Sequence, residues 1–287
     1  MPRKSPRSRR KPGTPSRLPA ANRPRATPGK RAARSERARR AAGAARPAHA
    51  PKGARGVARP ARKARPPARG RRVAPPDPVR VAAMLHMLED LYPDATTALH
   101  HANPLQLLIA TILSAQCTDE RVNQVTPALF GRFPDAAEFA AAPPSEIEAL
   151  IRSTGFFRSK ARAIKECCAD IAARHGGAVP RTMEELTALR GVGRKTANVV
   201  LANAFGIPGV VVDTHVLRLA LRLGLTRETD PVKVEFALMP LVPRDRWAAF
   251  SHWLILHGRR VCVARKPRCS ICPLAPHCPR VGVTASN

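Results

Sequence analysis

Leu189-Arg190-Gly191-Val192-Gly193-Arg194-Lys195-Thr196-Ala197-Asn198 reads as a helix that ends near Leu189, a two-glycine turn, and a second helix that begins at about Arg194. Glycine at both turn positions permits a positive φ and keeps side chains off the backbone. The uncovered N–H groups at the start of the second helix make an anion site, because the helix dipole and the orphan donors act together. A nucleic-acid phosphate fits such a site, and a contact of that kind positions a duplex without reading its bases. Gly-x-Gly also occurs in plain helix–turn–helix connections, so the turn takes its meaning from what flanks it.

Downstream lies Val211-Val212-Asp213-Thr214-His215. A helix from Arg194 to Phe205, stopped by Gly206 and Pro208, carries the chain away by about 18 Å. Extended residues 209–213 can return it by about 17 Å. The spacing therefore allows Asp213 to arrive beside Lys195. An amine and a carboxylate so placed can work together as nucleophile and proton acceptor. The plainer readings are Lys195 as a phosphate contact and Asp213 as the N-cap of the next helix, and the second is compatible with the chemistry.

Four of the seven cysteines crowd the C-terminus as Cys262-x6-Cys269-x2-Cys272-x5-Cys278. Four thiolates this close enclose one iron–sulfur cubane or one zinc ion, and spacing alone does not choose between them. The first inter-cysteine loop holds Arg265, Lys266 and Arg268, a basic surface that suits phosphates or is simply solvated. Cys167 and Cys168 fall on an apolar helical stripe and read as core thiols. The pattern is not a secreted disulfide framework, so a reducing cytoplasmic setting is expected.

From Asp77 onward the periodicity is helical. Val81, Met84, Leu85, Leu88 and Leu91 recur at three- and four-residue steps, as do Leu105, Leu108, Ile109, Ile112 and Leu113, and Ala161, Ile164, Cys167, Cys168 and Ile171. Asp77–Pro78 and Asp230–Pro231 read as helix starts. Ser145 with Glu148, and Thr182 with Glu185, read as capping boxes. Only Val210–Val212 looks extended, too short to found a sheet, so the fold class is all-α. The net charge of +30 is unevenly spread, since residues 1–76 hold 25 Lys and Arg against a single acid, Glu36, with 14 prolines and no aromatic residue. Such a segment cannot bury enough apolar surface to offset its ordering entropy, which predicts a disordered basic tail suited to a polyanion. No run of sequence is long and apolar enough to span a membrane, and none is expected to.

The Gly-Val-Gly turn with Lys195, the Val-Asp-Thr-His segment that sets Asp213 eighteen positions later, and the Cys-Val-Ala-Arg-Lys-Pro-Arg-Cys loop together resemble the endonuclease III family of helix-hairpin-helix DNA glycosylases. The likeness spans about residues 78–280 and excludes the tail. Arg190 departs from it, standing where the family frequently has proline. Phe156 stands where the family has an apolar wedge that is often leucine. The resemblance implies a two-lobed fold: a six-helix barrel over 97–207 that holds the hairpin, and a second helical lobe built from 77–96 and 208–287 around a 4Fe–4S cluster on Cys262, Cys269, Cys272 and Cys278. It implies a monomeric, bifunctional glycosylase and lyase of base excision repair that removes damaged pyrimidines from duplex DNA, with Lys195 and Asp213 catalytic. Gly191, Val192, Gly193, Arg194, Arg265, Lys266 and Arg268 would lie on DNA. Gln116 would enter the space vacated by the flipped base, and Phe156 would wedge into the stack or else sit in the core. Thr118 and Asp119 read as caps of the following helix, and the resemblance places that aspartate near the lesion pocket. The competing readings are an adenine glycosylase of the same superfamily (which carries a glutamate where Thr111 stands), a monofunctional mismatch or uracil glycosylase, and a non-enzymatic DNA-binding module.

Overall fold

The computed structural model describes residues 76–287, and every regular element among them is helical. Capping side chains and prolines open most of the helices. Asp77 caps α1 (Pro78–Leu91) by accepting from the N–H groups of Val79 and Arg80. Asn103 caps α2 (Pro104–Leu113), Thr118 caps α3 (Asp119–Arg132) and Asp135 caps α4 (Ala136–Ala141). In α5 (Pro144–Ile151) the expected capping box fails: Pro143 is the N-cap and Ser145 already lies inside the first turn. Pro144 at the first position presets φ and lacks only an N–H that would be orphaned anyway, so it fixes the start by itself. The eighteen-residue α6 (Phe157–Arg174) follows. Thr182 caps α7 (Met183–Ala188), with Glu185 N donating to Thr182 Oγ1 at 3.2 Å; the Glu185 carboxylate accepts from the Thr182 hydroxyl at 2.8 Å rather than from its backbone N–H, so half of the expected box forms. The helix α8 (Arg194–Phe205) ends at Gly206 with φ +64°, as its sequence requires. Asp213 and Asp230 cap α9 (Thr214–Arg222) and α10 (Pro231–Leu238), and α11 (Trp247–Arg260) runs toward the cysteines.

The apolar stripes gather into two cores. One lies among α2 to α8, where Leu107, Leu108, Ile109, Ile164, Cys167, Cys168 and Val200 are fully buried. That is one helix more than the six expected, two of the seven being only six residues long. The second core joins α1 to the C-terminal half: Val81, Met84 and Leu88 meet Val216, Leu219, Phe250, Trp253 and Leu254, with Cys262, Cys272 and Cys278 packed on its edge. Extended residues 209–213 pass from the first core to the second. The expected basic tail lies, residue 76 apart, outside the described residues.

Candidate active site and nucleic-acid interface

The hairpin forms as its sequence dictates, but its two glycines do different work. Gly191 has φ +79°, and a Cβ there would come within 2.9 Å of Ala163 Cβ on α6, so the position demands glycine twice over. Gly193 has φ −92° and sits in the N-cap position of α8 with open space where a Cβ would stand. Of the two glycines that could adopt a positive φ, only Gly191 does so. What Gly193 supplies is bareness. Among the described residues, the N–H groups of Gly193, Arg194, Lys195 and Thr196 have no acceptor, the first bond of the helix being Ala197 N to Gly193 O at 2.9 Å. Four orphan donors at a helix start make a strong anion site. Val192 contributes none: its side chain is buried in the barrel core and its N–H donates to Leu189 O at 3.2 Å.

Arg194 is also differently engaged from its sequence reading. Its guanidinium clasps the carboxylate of Glu235 on α10 through Nε at 2.7 Å and Nη2 at 2.8 Å, and stacks 5.0 Å over the ring of Phe236. Glu235 is buried. A two-pronged pair of this kind holds the first turn of α8 against α10, while the backbone N–H of Arg194 stays among the orphan donors of the anion site. Arg190 pairs with Glu166 at 3.4 Å on the surface.

Lys195 and Asp213 meet at one cleft. Its empty volume is about 640 Å³, and Thr111, Ser114, Asp119, His252 and Arg259 also line it. Lys195 is exposed and Asp213 half-buried. Asp213 Oδ1 accepts from the N–H groups of His215 and Val216, both at 2.8 Å, so it does cap α9. Among the described residues no donor takes Oδ2, which stays available for other chemistry. Across the cleft Asp119 pairs with Arg259 of α11 at 2.7 Å, while Thr118 alone does the capping of α3. The cleft is therefore rimmed by two lysine- or arginine-borne charges and two carboxylates drawn from both halves of the fold. His252 Nε2 lies 2.8 Å from Asn203 Oδ1, an acceptor, which places the ring proton on Nε2. Burial holds His252 below the usual histidine range, with Asp213 opposing the shift.

Gln116 and Phe156 occupy matching positions in two tight connections. Gln116 (φ 52°) lies between α2 and α3, and Phe156 (φ 47°) is the N-cap of α6. Both are exposed, Phe156 by 67%. That exposure removes the reading of Phe156 as a core residue. A left-handed backbone at a non-glycine residue costs about 1–2 kcal/mol, and strain of this sort clusters at functional positions. Lys266 (φ 48°) is a third such residue, in the exposed loop with Arg265 and Arg268.

All four C-terminal cysteines line a single cavity, and four thiolates around one cavity are a donor set that fits a four-cysteine iron–sulfur cluster. Donors already point at the sulfurs: Arg222 Nη1 lies 3.4 Å from Cys262 Sγ, and His257 Nε2 lies 3.4 Å from Cys272 Sγ.

Comparison with known proteins agrees with this geometry. Residues 109–244 match the HhH-GPD superfamily of base excision DNA repair proteins, and residues 262–278 match the iron-sulfur binding domain of endonuclease III. Endonuclease III from Synechocystis sp. is 59% identical over 201 residues, covering 70% of this chain and 92% of that protein. The chain belongs to the endonuclease III family. A non-covalent endonuclease III–DNA complex and a trapped endonuclease III–DNA covalent intermediate each superpose with a TM-score of 0.69 at 43% identity, over 71% of this chain and 96% of theirs. As a member of the endonuclease III family the chain is a bifunctional DNA glycosylase and lyase of base excision repair and carries a 4Fe–4S cluster, its iron-sulfur binding domain spanning residues 262–278.

Several residues of this endonuclease III site carry no motif. Glu235 is a single acid on the apolar segment Pro231–Leu238, flanked by buried Val234 and Leu238, and a charge on a buried face is the one signal that marks it. His252 and Arg259 lie on α11 with nothing in their spacing to tie them to Lys195.

Proposed function

We propose that Lys195 is the nucleophile and Asp213 its proton acceptor in the excision of damaged pyrimidines from duplex DNA, by a monomer acting in the cytoplasm. The observation that carries this reading is the shared cleft of Lys195 and Asp213, opening beside four unpaired N–H groups. A strand whose phosphate docks on those donors brings the neighbouring sugar to the lysine. As Lys195 Nζ bonds to C1′, the glycosidic bond breaks and its electron pair leaves with the base. Asp213 Oδ2 takes the proton that the amine sheds. The ring then opens: the C1′–O4′ bond breaks, O4′ takes that proton from Asp213, and the amine lone pair completes the C1′=N bond, whose positive charge the restored carboxylate faces. This Schiff base acidifies C2′, and loss of that proton expels the 3′ phosphate. The 43% identical endonuclease III has been trapped as a covalent intermediate with DNA, and a covalent enzyme–DNA species is what this chemistry produces.

Thr111, Ser114 and Asp119 line the same cleft, polar residues that suit the edge of an extruded pyrimidine. Gly191 and Gly193 grip the backbone, Gln116 and Phe156 fill the opened stack, and Arg265, Lys266 and Arg268 meet phosphates further along. When bound, the cluster pins that basic loop and supplies no redox step to the excision. Borohydride reduction tests the reading. The wild-type protein becomes covalently attached to an oligonucleotide that carries thymine glycol or an abasic site. Lys195→Ala should lose that attachment, and Asp213→Asn should slow it by two orders of magnitude or more, roughly 3 kcal/mol of barrier. Undiminished trapping by Lys195→Ala would sink the assignment.

A further inference from the structure

Lys160 is a charged residue that the chemistry above does not use, and it is buried. Its ammonium donates to Leu113 O and to Thr154 O, each at 2.8 Å. Among the described residues it has no carboxylate partner, and a buried lysine without one is costly unless its hydrogen bonds are worth the expense. The two acceptors explain the position. Leu113 is the last residue of α2, and Gln116 follows three residues later; Thr154 ends a short 3-10 turn, and Phe156 follows two residues later. Carbonyls at helix ends lack intrahelical donors and carry partial negative charge, which suits an ammonium. One side chain thus ties together two connections that lie about forty residues apart in sequence, each presenting a left-handed, exposed residue to solvent.

We infer that Lys160 is the positioning residue that holds the Gln116 and Phe156 connections at a fixed separation, so that the two side chains enter the base stack as one unit. The inference rests on the reading of Gln116 and Phe156 as the stack-filling pair. Lys160 itself touches neither DNA nor Lys195, and acts only through the two carbonyls. With the clamp released, each strained connection relaxes independently, and the left-handed backbone at Gln116 and Phe156 loses the frame that over-determines it. Hydrogen bonds from a charged donor are worth enough that losing two should slow extrusion on the order of tenfold or more.

The test separates opening of the stack from chemistry. Lys160→Met keeps the length of the side chain and removes its donors. Two rates are compared with wild type: excision of thymine glycol from duplex DNA, and borohydride trapping on a single-stranded abasic oligonucleotide, where no stack has to be opened. The duplex rate should fall by that factor while single-strand trapping stays at the wild-type level, and Lys160→Arg, which keeps a charged donor, should recover much of the duplex rate. Equal losses on both substrates, or no loss on the duplex, would overturn the inference. Gln116→Ala and Phe156→Ala are run beside it. If they show the duplex-only defect and Lys160→Met does not, the clamp is wrong and the stack-filling pair stands. If they show no defect, the pair itself is misassigned. Should Lys160→Met fail to fold, Lys160→Gln, neutral and one atom shorter so that the two-carbonyl clamp is weakened, carries the same comparison: duplex excision should fall while single-strand trapping holds.

Discussion

Lys195 and His252 share a cleft but answer to opposite demands, one exposed to solvent and substrate and the other walled in. Burial lowers the His252 pKa from its usual 6.5 more strongly than Asp213 raises it. A histidine that folds into a neutral site binds fewer protons than it does unfolded between those two pKa values. Its contribution to stability is therefore complete above about pH 6.5 and is lost progressively as the pH falls toward the folded value. His215 and His257 shift the same way through burial, His257 to about 4, so the wild-type slope is a sum. His252→Gln should flatten part of the fall in Tm between pH 6.5 and 5 and leave the plateau above pH 7 parallel to wild type. A slope identical to wild type would mean that His252 charges freely in the folded protein. At this scale the sequence is legible wherever residue type and fixed spacing coincide: Lys195 with Asp213, and the four cysteines. It is silent where chemistry depends on a partner brought in from another helix. Arg194 reads as a phosphate contact until Glu235 is seen beneath it, and Lys160 carries no signal beyond continuing the stripe of Ala161 and Ile164 by one residue.

Among the elements, the hairpin offers the cleanest separation of fold from function, because its two glycines serve one each. Gly191→Ala must place a methyl group 2.9 Å from Ala163 Cβ and force a left-handed φ on alanine. Left-handed strain of about 1–2 kcal/mol adds to the overpacking, so the protein should lose roughly 2–4 kcal/mol in urea denaturation. Gly193→Ala meets no atom within 4 Å at an ordinary φ. It should leave stability almost untouched and yet weaken DNA binding, since a methyl group then stands beside the orphan N–H groups. A stable Gly191→Ala protein, or a Gly193→Ala protein with wild-type affinity, would contradict the division. The element boundaries themselves were mostly readable from caps and prolines. The exception at α5 is instructive: Ser145 and Glu148 have the right spacing for a box, but Pro143 and Pro144 start the helix before the serine can act. Thr118 and Asp119 divide in a way that spacing cannot show, one capping α3 and the other crossing the cleft to Arg259.

Across the whole molecule, the two cores differ in what holds them. The core of α2 to α8 includes no cluster cysteine, whereas the second packs directly against Cys262, Cys272 and Cys278. Around those sulfurs the chain has little regular structure, and residues 262–278 contain only two 3-10 turns. A loop with so little helix of its own depends on its cluster for order. Removing the cluster by oxidation or chelation should therefore loosen residues 262–287 and the facing ends of α9 and α11 while α6 stays protected. Thiol reactivity reads this out residue by residue. Cys167 is pushed up to about 12 by burial, and Cys168 is raised as well, so neither reacts while the barrel core is intact. In the holoprotein Cys117, half-buried, is the one thiol open to a disulfide reagent among those described. Loss of the cluster should add the four cluster cysteines, and only full denaturation should release Cys167 and Cys168, in step with hydrogen exchange in α6. Simultaneous release of all the remaining thiols on cluster removal would show instead that the cores melt as one cooperative unit, and that the cluster supports the barrel as much as the loop that binds it.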